Sequence, residues 1–165
     1  MKDVKTDPVA IGSNKILLIG IGNSGRNDDG LGWRFIEMIN GFGCDFLRYE
    51  VRYQLQVEDA ALVSEYNVVI FVDATHDKLR SGYEMRSCIA ANHAFFSTHA
   101  QQPGAILYLA NHLYNKFPKA YTLAISGRDW ELKTSLSKEA ENNLQAALSF
   151  FTEEFLLTIQ PMVCS

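Results

Sequence analysis

GIGNSGRNDDGLGW, residues 20–33, follows an apolar run that ends at Ile19, and its reading decides the fold. It reads as the end of a buried strand, a glycine turn, two adjacent carboxylates and the first turn of a helix. Glycines at such a turn permit positive φ and close backbone approach. A helix start leaves N–H donors unsatisfied, and carboxylates are comfortable beside them. In an open α/β sheet this turn lies at the carboxyl edge, where such folds keep their sites. Asp28 and Asp29 are therefore either site residues or an N-cap with a neighbour that merely favours the helix dipole.

The same residues contain a second pattern. Gly20, Gly22 and Gly25 fit G-x-G-x-x-G after a strand, the dinucleotide-binding fingerprint. A diphosphate needs an uncharged cradle of N–H groups at a helix start. Here Arg26-Asn27-Asp28-Asp29 follows Gly25, so the helix starts late and two carboxylates face the diphosphate position. Glu50 stands at about the distance of the ribose-binding acid, but Arg52 and Tyr53 continue its strand. The pattern disfavours a nucleotide.

Outward from this stretch the elements alternate. Leu31, Phe35 and Ile39 recur at helical spacing. Leu47, Tyr49, Val51 and Tyr53 alternate with Arg48, Glu50 and Arg52, as in a half-solvated strand. Residues 57–65 open a helix with Glu58 and Asp59, and 67–72 form an apolar strand ending on Asp73. The connection 74–81 is too short for a parallel crossover, so the strand 83–89 runs antiparallel at an edge. A helix follows Gly104 with Ile106, Leu109 or Ala110, and Leu113 on its stripe; 120–125 is a fifth strand. Ser137 caps a long final helix that ends before Pro161. These elements predict a three-layer α/β sandwich: a twisted, mostly parallel sheet of about five strands, one antiparallel edge strand, and helices on both faces. Residues 15–165 form one domain, preceded by a polar N-terminal extension, residues 1–14.

A net charge of −4 gives no support for nucleic-acid or anionic-membrane binding. No apolar run is long enough to span a bilayer, and no secretory signal is read in the polar first residues. Cys44, Cys88 and Cys164 are scattered without a C-x-x-C pair, which indicates neither a disulfide framework nor a thiolate zinc site. The expectation is a cytoplasmic monomer.

Right-handed crossovers put the first and third strands side by side, in a 2-1-3 order. Asp29 and Asp73 then share the carboxyl edge, and the region 94–102, with His99, can return to it. Two carboxylates and an imidazole suit nickel, zinc or manganese. His76, His93 and His112 compete as ligands, and each of these residues also has an ordinary structural reading.

Four segments, in order, resemble the nickel–iron hydrogenase maturation endopeptidases. They are GIGNSGRNDDGLG (20–32), VVIFVDA (68–74), STHAQQPGAILYLANHLYNKFPKAYTLAISG (97–127) and GRDWELKTSLS (127–137). Around residues 52–58 this chain has RYQLQVE, where the family often has a Gly-Gly-Thr turn. The resemblance implies that Asp29, Asp73 and His99 contact a metal and carry the catalysis. It implies that the metal is nickel already seated in the large-subunit precursor, with only weak divalent-metal binding by the protease itself. It further implies that the activity is removal of the precursor's C-terminal extension. The alternatives are a non-cleaving, metal-binding assembly factor and, below it, a nucleotide-binding domain. Ser24 lacks a nucleophile elbow and Cys88 falls in a strand, so water is the expected attacker, with Asp28 or Asp29 as its base.

Overall fold

A computed structural model describes residues 16–93 and 101–163. Strand β1 (Ile16–Ile21) is apolar throughout because both its faces are covered. Ile16 and Leu18 enter one core, Leu17 and Ile19 the other. Strand β3 (Val68–Thr75) repeats the division, with Val68, Ile70 and Val72 on the first face and Val69 and Phe71 on the second.

Strand β2 (Leu47–Arg52) pairs in parallel with β1, and β1 with β3. Strand β5 (Lys119–Ser126) lies parallel to β3, and β4 (Tyr83–Cys88) antiparallel to β5 at the edge. The order is β2-β1-β3-β5-β4, which contains the expected 2-1-3 arrangement and the expected antiparallel edge. One boundary differs in a way that matters. β3 does not stop at Asp73, because β5 keeps pairing with it through Asp73↔Ala124 and Thr75↔Ser126. Asp73 is thus held by strand geometry beyond the last β1–β3 pair, Gly20↔Val72.

Helices α1 (Leu31–Asn40), α4 (Lys138–Phe150) and α5 (Leu156–Val163) cover the first face. Helices α2 (Asp59–Val63) and α3 (Pro103–Tyr114) cover the second. On the first face Phe35 meets Phe151 edge-on, ring centroids 5.3 Å apart. Helix α1 sits very close to the sheet. A Cβ on Gly32 would lie 2.5 Å from the Ile21 carbonyl oxygen and 2.6 Å from that of Val72, so only glycine fits. That approach sets the start of α1, and Asp29 before it, against the tips of β1 and β3.

Two expectations are corrected here. Leu113 lies in the last turn of α3 and is exposed, while Leu107 takes the buried place. The final helix does not end before Pro161: after a π-helical turn (Phe151–Phe155) it continues as α5 to Val163. The N–H that Pro161 lacks would have bonded the carbonyl of Leu157, an exposed residue.

Candidate active site at the carboxyl edge of the sheet

The turn after β1 is built around Gly22, whose φ is 141°. Its N–H donates to the Arg52 carbonyl at 2.9 Å, and a side chain there would run into the Asp29 carbonyl. The Asn23 N–H donates to that same carbonyl at 3.0 Å, and the Asp29 N–H to the Arg26 carbonyl at 2.9 Å. The Asn23 side chain holds the Gly25 N–H at 2.8 Å, so Gly25 stays in the loop and outside any helix. A 3-10 turn, Asn27–Gly30, then leads into α1. The late helix start read from the sequence is this turn.

Asp29 leaves the turn beside Asp73. Burial raises the Asp73 carboxyl, the Ala74 N–H bonded to Oδ1 at 2.8 Å opposes this, and the negative charge of Asp29 raises it further, to about 7. Asp29 is also raised, by burial, against the opposing effects of Arg26, the Asn23 amide and His76. Two partly buried carboxyls that feel each other resist carrying two negative charges together. Such a pair favours either a shared proton or a cation.

The third predicted residue, His99, lies outside the described residues. Among the histidines weighed against it, His112 stacks on Tyr108 of its own helix, with Nδ1 2.9 Å from the Tyr108 carbonyl oxygen. His76, just past the end of β3, is the one whose charge reaches Asp29, and its ring stacks on Trp130 with centroids 3.8 Å apart. Among the described residues no three His, Cys, Asp or Glu side chains form a metal-binding group.

Asp28 turns out to be neither an N-cap of its own helix nor a free base. It makes no capping hydrogen bond to the turn that follows, and it is fully buried. Its Oδ2 accepts from the Arg128 N–H at 2.6 Å, the Asp129 N–H at 2.8 Å and the Ser137 hydroxyl at 2.7 Å; Oδ1 accepts from the Ser137 N–H at 2.7 Å. Burial alone would raise its pKa, but the bonds from Asp129, Ser137 and Arg128 outweigh it and hold the carboxyl below its usual value. Ser137 caps α4 as expected, accepting from the Ala140 N–H at 3.1 Å. Its second bond, to Asp28, had no sequence signal. On β4, burial pushes the Cys88 thiol up, which makes it a poor nucleophile.

In the RYQLQVE segment, Leu55 is buried and bridges to Gln101, while Arg52 pairs with the buried Asp59 at 3.0 Å. This segment therefore carries its own core residue and ion pair in place of a glycine turn.

No protein-family model and no curated protein sequence matches the chain. Solved structures do. The hydrogenase maturating endopeptidase HybD of Escherichia coli superposes with a TM-score of 0.66 at 16% identity, over 90% of this chain and 93% of that one. The [NiFe] hydrogenase maturation protease HybD of Thermococcus kodakarensis gives 0.59 at 21% identity, over 84% and 97%. A hydrogenase 2 maturation peptidase from a Thaumarchaeota archaeon gives 0.61 at 16%, over 92% and 100%. With 84–92% of this chain covered in these superpositions, the fold of this chain is that of the nickel–iron hydrogenase maturation proteases.

Proposed function

We propose that this chain is an endopeptidase that removes the C-terminal extension of a nickel–iron hydrogenase large-subunit precursor once nickel has been inserted, acting in the cytoplasm as a monomer. The observation that carries this reading is the mutually repelling Asp29–Asp73 pair at the carboxyl edge of a sheet shared with proteases of that name. Carboxylate oxygens suit a divalent cation of intermediate hardness, and His99 supplies a nitrogen ligand to the same ion. The nickel belongs to the substrate. A divalent ion polarises a carbonyl and acidifies water, and water is the attacking group. Cys88 is raised by burial and Asp28 is saturated by donors, which leaves the Asp29–Asp73 pair to take the proton.

The test is trimming of a precursor with and without nickel, read as a mass change at its C-terminus. Loaded precursor should be trimmed, and Asp29→Ala or Asp73→Ala should block it. Equal trimming of nickel-free precursor would overturn the sensing step. No trimming of loaded precursor by the native chain would overturn the endopeptidase reading in favour of a metal-checking assembly factor.

A further inference from the structure

Asp28 has no part in the reaction above, yet no other charged side chain among the described residues is fully inaccessible. Its side-chain bonds all run to one segment, the stretch 127–137 between β5 and α4. Besides the four bonds to its carboxylate, the Asp28 N–H donates to the Asp129 carbonyl at 3.0 Å, and the Asn27 N–H to the Lys133 carbonyl at 2.7 Å. The segment has no helix or strand of its own, and residues 131–135 are exposed. Its other ion pairs, Arg128–Glu139 and Lys133–Glu131, are exposed and hold little. Apart from the Gly127 N–H on the Thr75 carbonyl at 3.0 Å and Leu136 against the first core, the segment is held by Asn27 and Asp28.

Trp130 follows directly after Arg128 and Asp129, two of the three residues whose backbone N–H groups Asp28 holds. A Cβ on Gly127 would lie 2.7 Å from the Asp28 Cβ and 2.8 Å from the Trp130 ring, so glycine, carboxylate anchor and indole meet at one point. The indole also carries His76, with ring planes 23° apart. His76 comes three residues after Asp73, and its charge reaches Asp29. Direct contacts thus run from Asp28 through Arg128–Asp129 and Trp130 to His76, whose charge is felt at Asp29.

We propose that Asp28 is a positioning residue: its carboxylate sets the 127–137 segment so that Trp130 clamps His76 beside Asp29, forming one wall of the Asp29–Asp73 site. The placement is a property of this chain alone, while its effect on trimming rests on the function proposed above. An asparagine amide in place of this carboxylate cannot satisfy all four donors in either orientation, because its NH2 must face an N–H or O–H. Asp28→Asn should therefore release the segment. Gly127→Ala should displace the indole without removing a charge.

The direct readout is the ring-current shift of the His76 ring protons in NMR spectra of the full chain, with Trp130→Leu defining its absence. Asp28→Asn and Gly127→Ala should move the His76 resonances to the Trp130→Leu position. Trimming of nickel-loaded precursor should fall on the order of ten- to a hundredfold in Asp28→Asn, Trp130→Leu and His76→Ala alike, as misplacement of a site wall entails. A folded Asp28→Asn or Gly127→Ala that keeps the native His76 shift would overturn the proposal and make Asp28 a stabilising anchor only. A lost shift with native trimming would overturn the wall's role. If the native chain trims nothing, the function proposed above fails, and the NMR comparison still decides the placement.

Discussion

Replacing Asp73 with Asn removes a charge that the folded chain opposes and keeps the acceptor oxygen facing the Ala74 N–H, now 2.8 Å away. The carboxyl titrates at about 7 when folded, against an ordinary 3.8. Three pH units at about 1.4 kcal/mol each set a ceiling of roughly 4 kcal/mol. Asp73 is only partly shielded from water, so about 1–2 kcal/mol is the reasonable share. The sign follows from proton binding. Between pH 4 and 7 the folded state holds this proton and the unfolded state does not, so stability falls as pH rises through that window and levels above it. Urea unfolding of the native chain and Asp73→Asn at several pH values from 4 to 8 measures the difference. The variant should gain on the native chain as pH rises, ending about 1–2 kcal/mol more stable at pH 8. In an Asp29→Asn background the midpoint of that gain should move to lower pH, because a like charge has gone. A difference that does not change with pH would refute the placement of Asp73 as a buried neighbour of Asp29.

Three further outcomes are expected. Gly32→Ala should lower stability by about 1–3 kcal/mol, since the added methyl meets two backbone carbonyls that cannot move independently; an unchanged thermal midpoint would contradict the close seating of α1. Leu55→Ala should cost about 2–5 kcal/mol in denaturant unfolding, because this residue of the RYQLQVE segment is 1% exposed and leaves a cavity. Nickel at about ten times its dissociation constant should stabilise the native chain by roughly 1.4 kcal/mol. The corresponding thermal shift should vanish in Asp29→Ala and in His99→Ala; its persistence in both would remove them as ligands.

The parts of the fold legible in the sequence are those governed by local pattern. β1 and β3 read as buried strands because both faces are covered, so no polar alternation interrupts them. The antiparallel direction of β4 followed from loop length, since residues 74–81 cannot carry a chain back across a sheet, and its edge position from the alternation of Tyr83 and Met85 with Glu84 and Arg86. Asp29 and Asp73 could be assigned to one edge because crossover handedness leaves few strand orders. What local pattern cannot reveal is a competition decided elsewhere. Asp73 reads as the end of its strand, but pairing with β5 extends β3 to Thr75. Leu113 fits a helical stripe, but Leu107 occupies the core instead. Pro161 reads as a stop, but α5 runs through it to Val163.

The adjacent pair Asp28-Asp29 shows why a candidate site residue is hard to distinguish from its neighbour. The two are the same residue type, on the same short turn, and both are shielded from water. Successive side chains on a 3-10 turn point about 120° apart, so one meets the segment before α4 and the other meets Asp73. Asp28 finds four donors, all contributed by residues about a hundred positions later, and its carboxyl is lowered. Asp29 finds no such set of donors; burial raises its carboxyl, and its charge helps to raise that of Asp73. The donor-saturated aspartate is a fixed anion that organises backbone, and in the function proposed above the other is the one that meets the cation. That division is decided by the direction of each side chain and by a distant segment, neither of which the dipeptide itself contains.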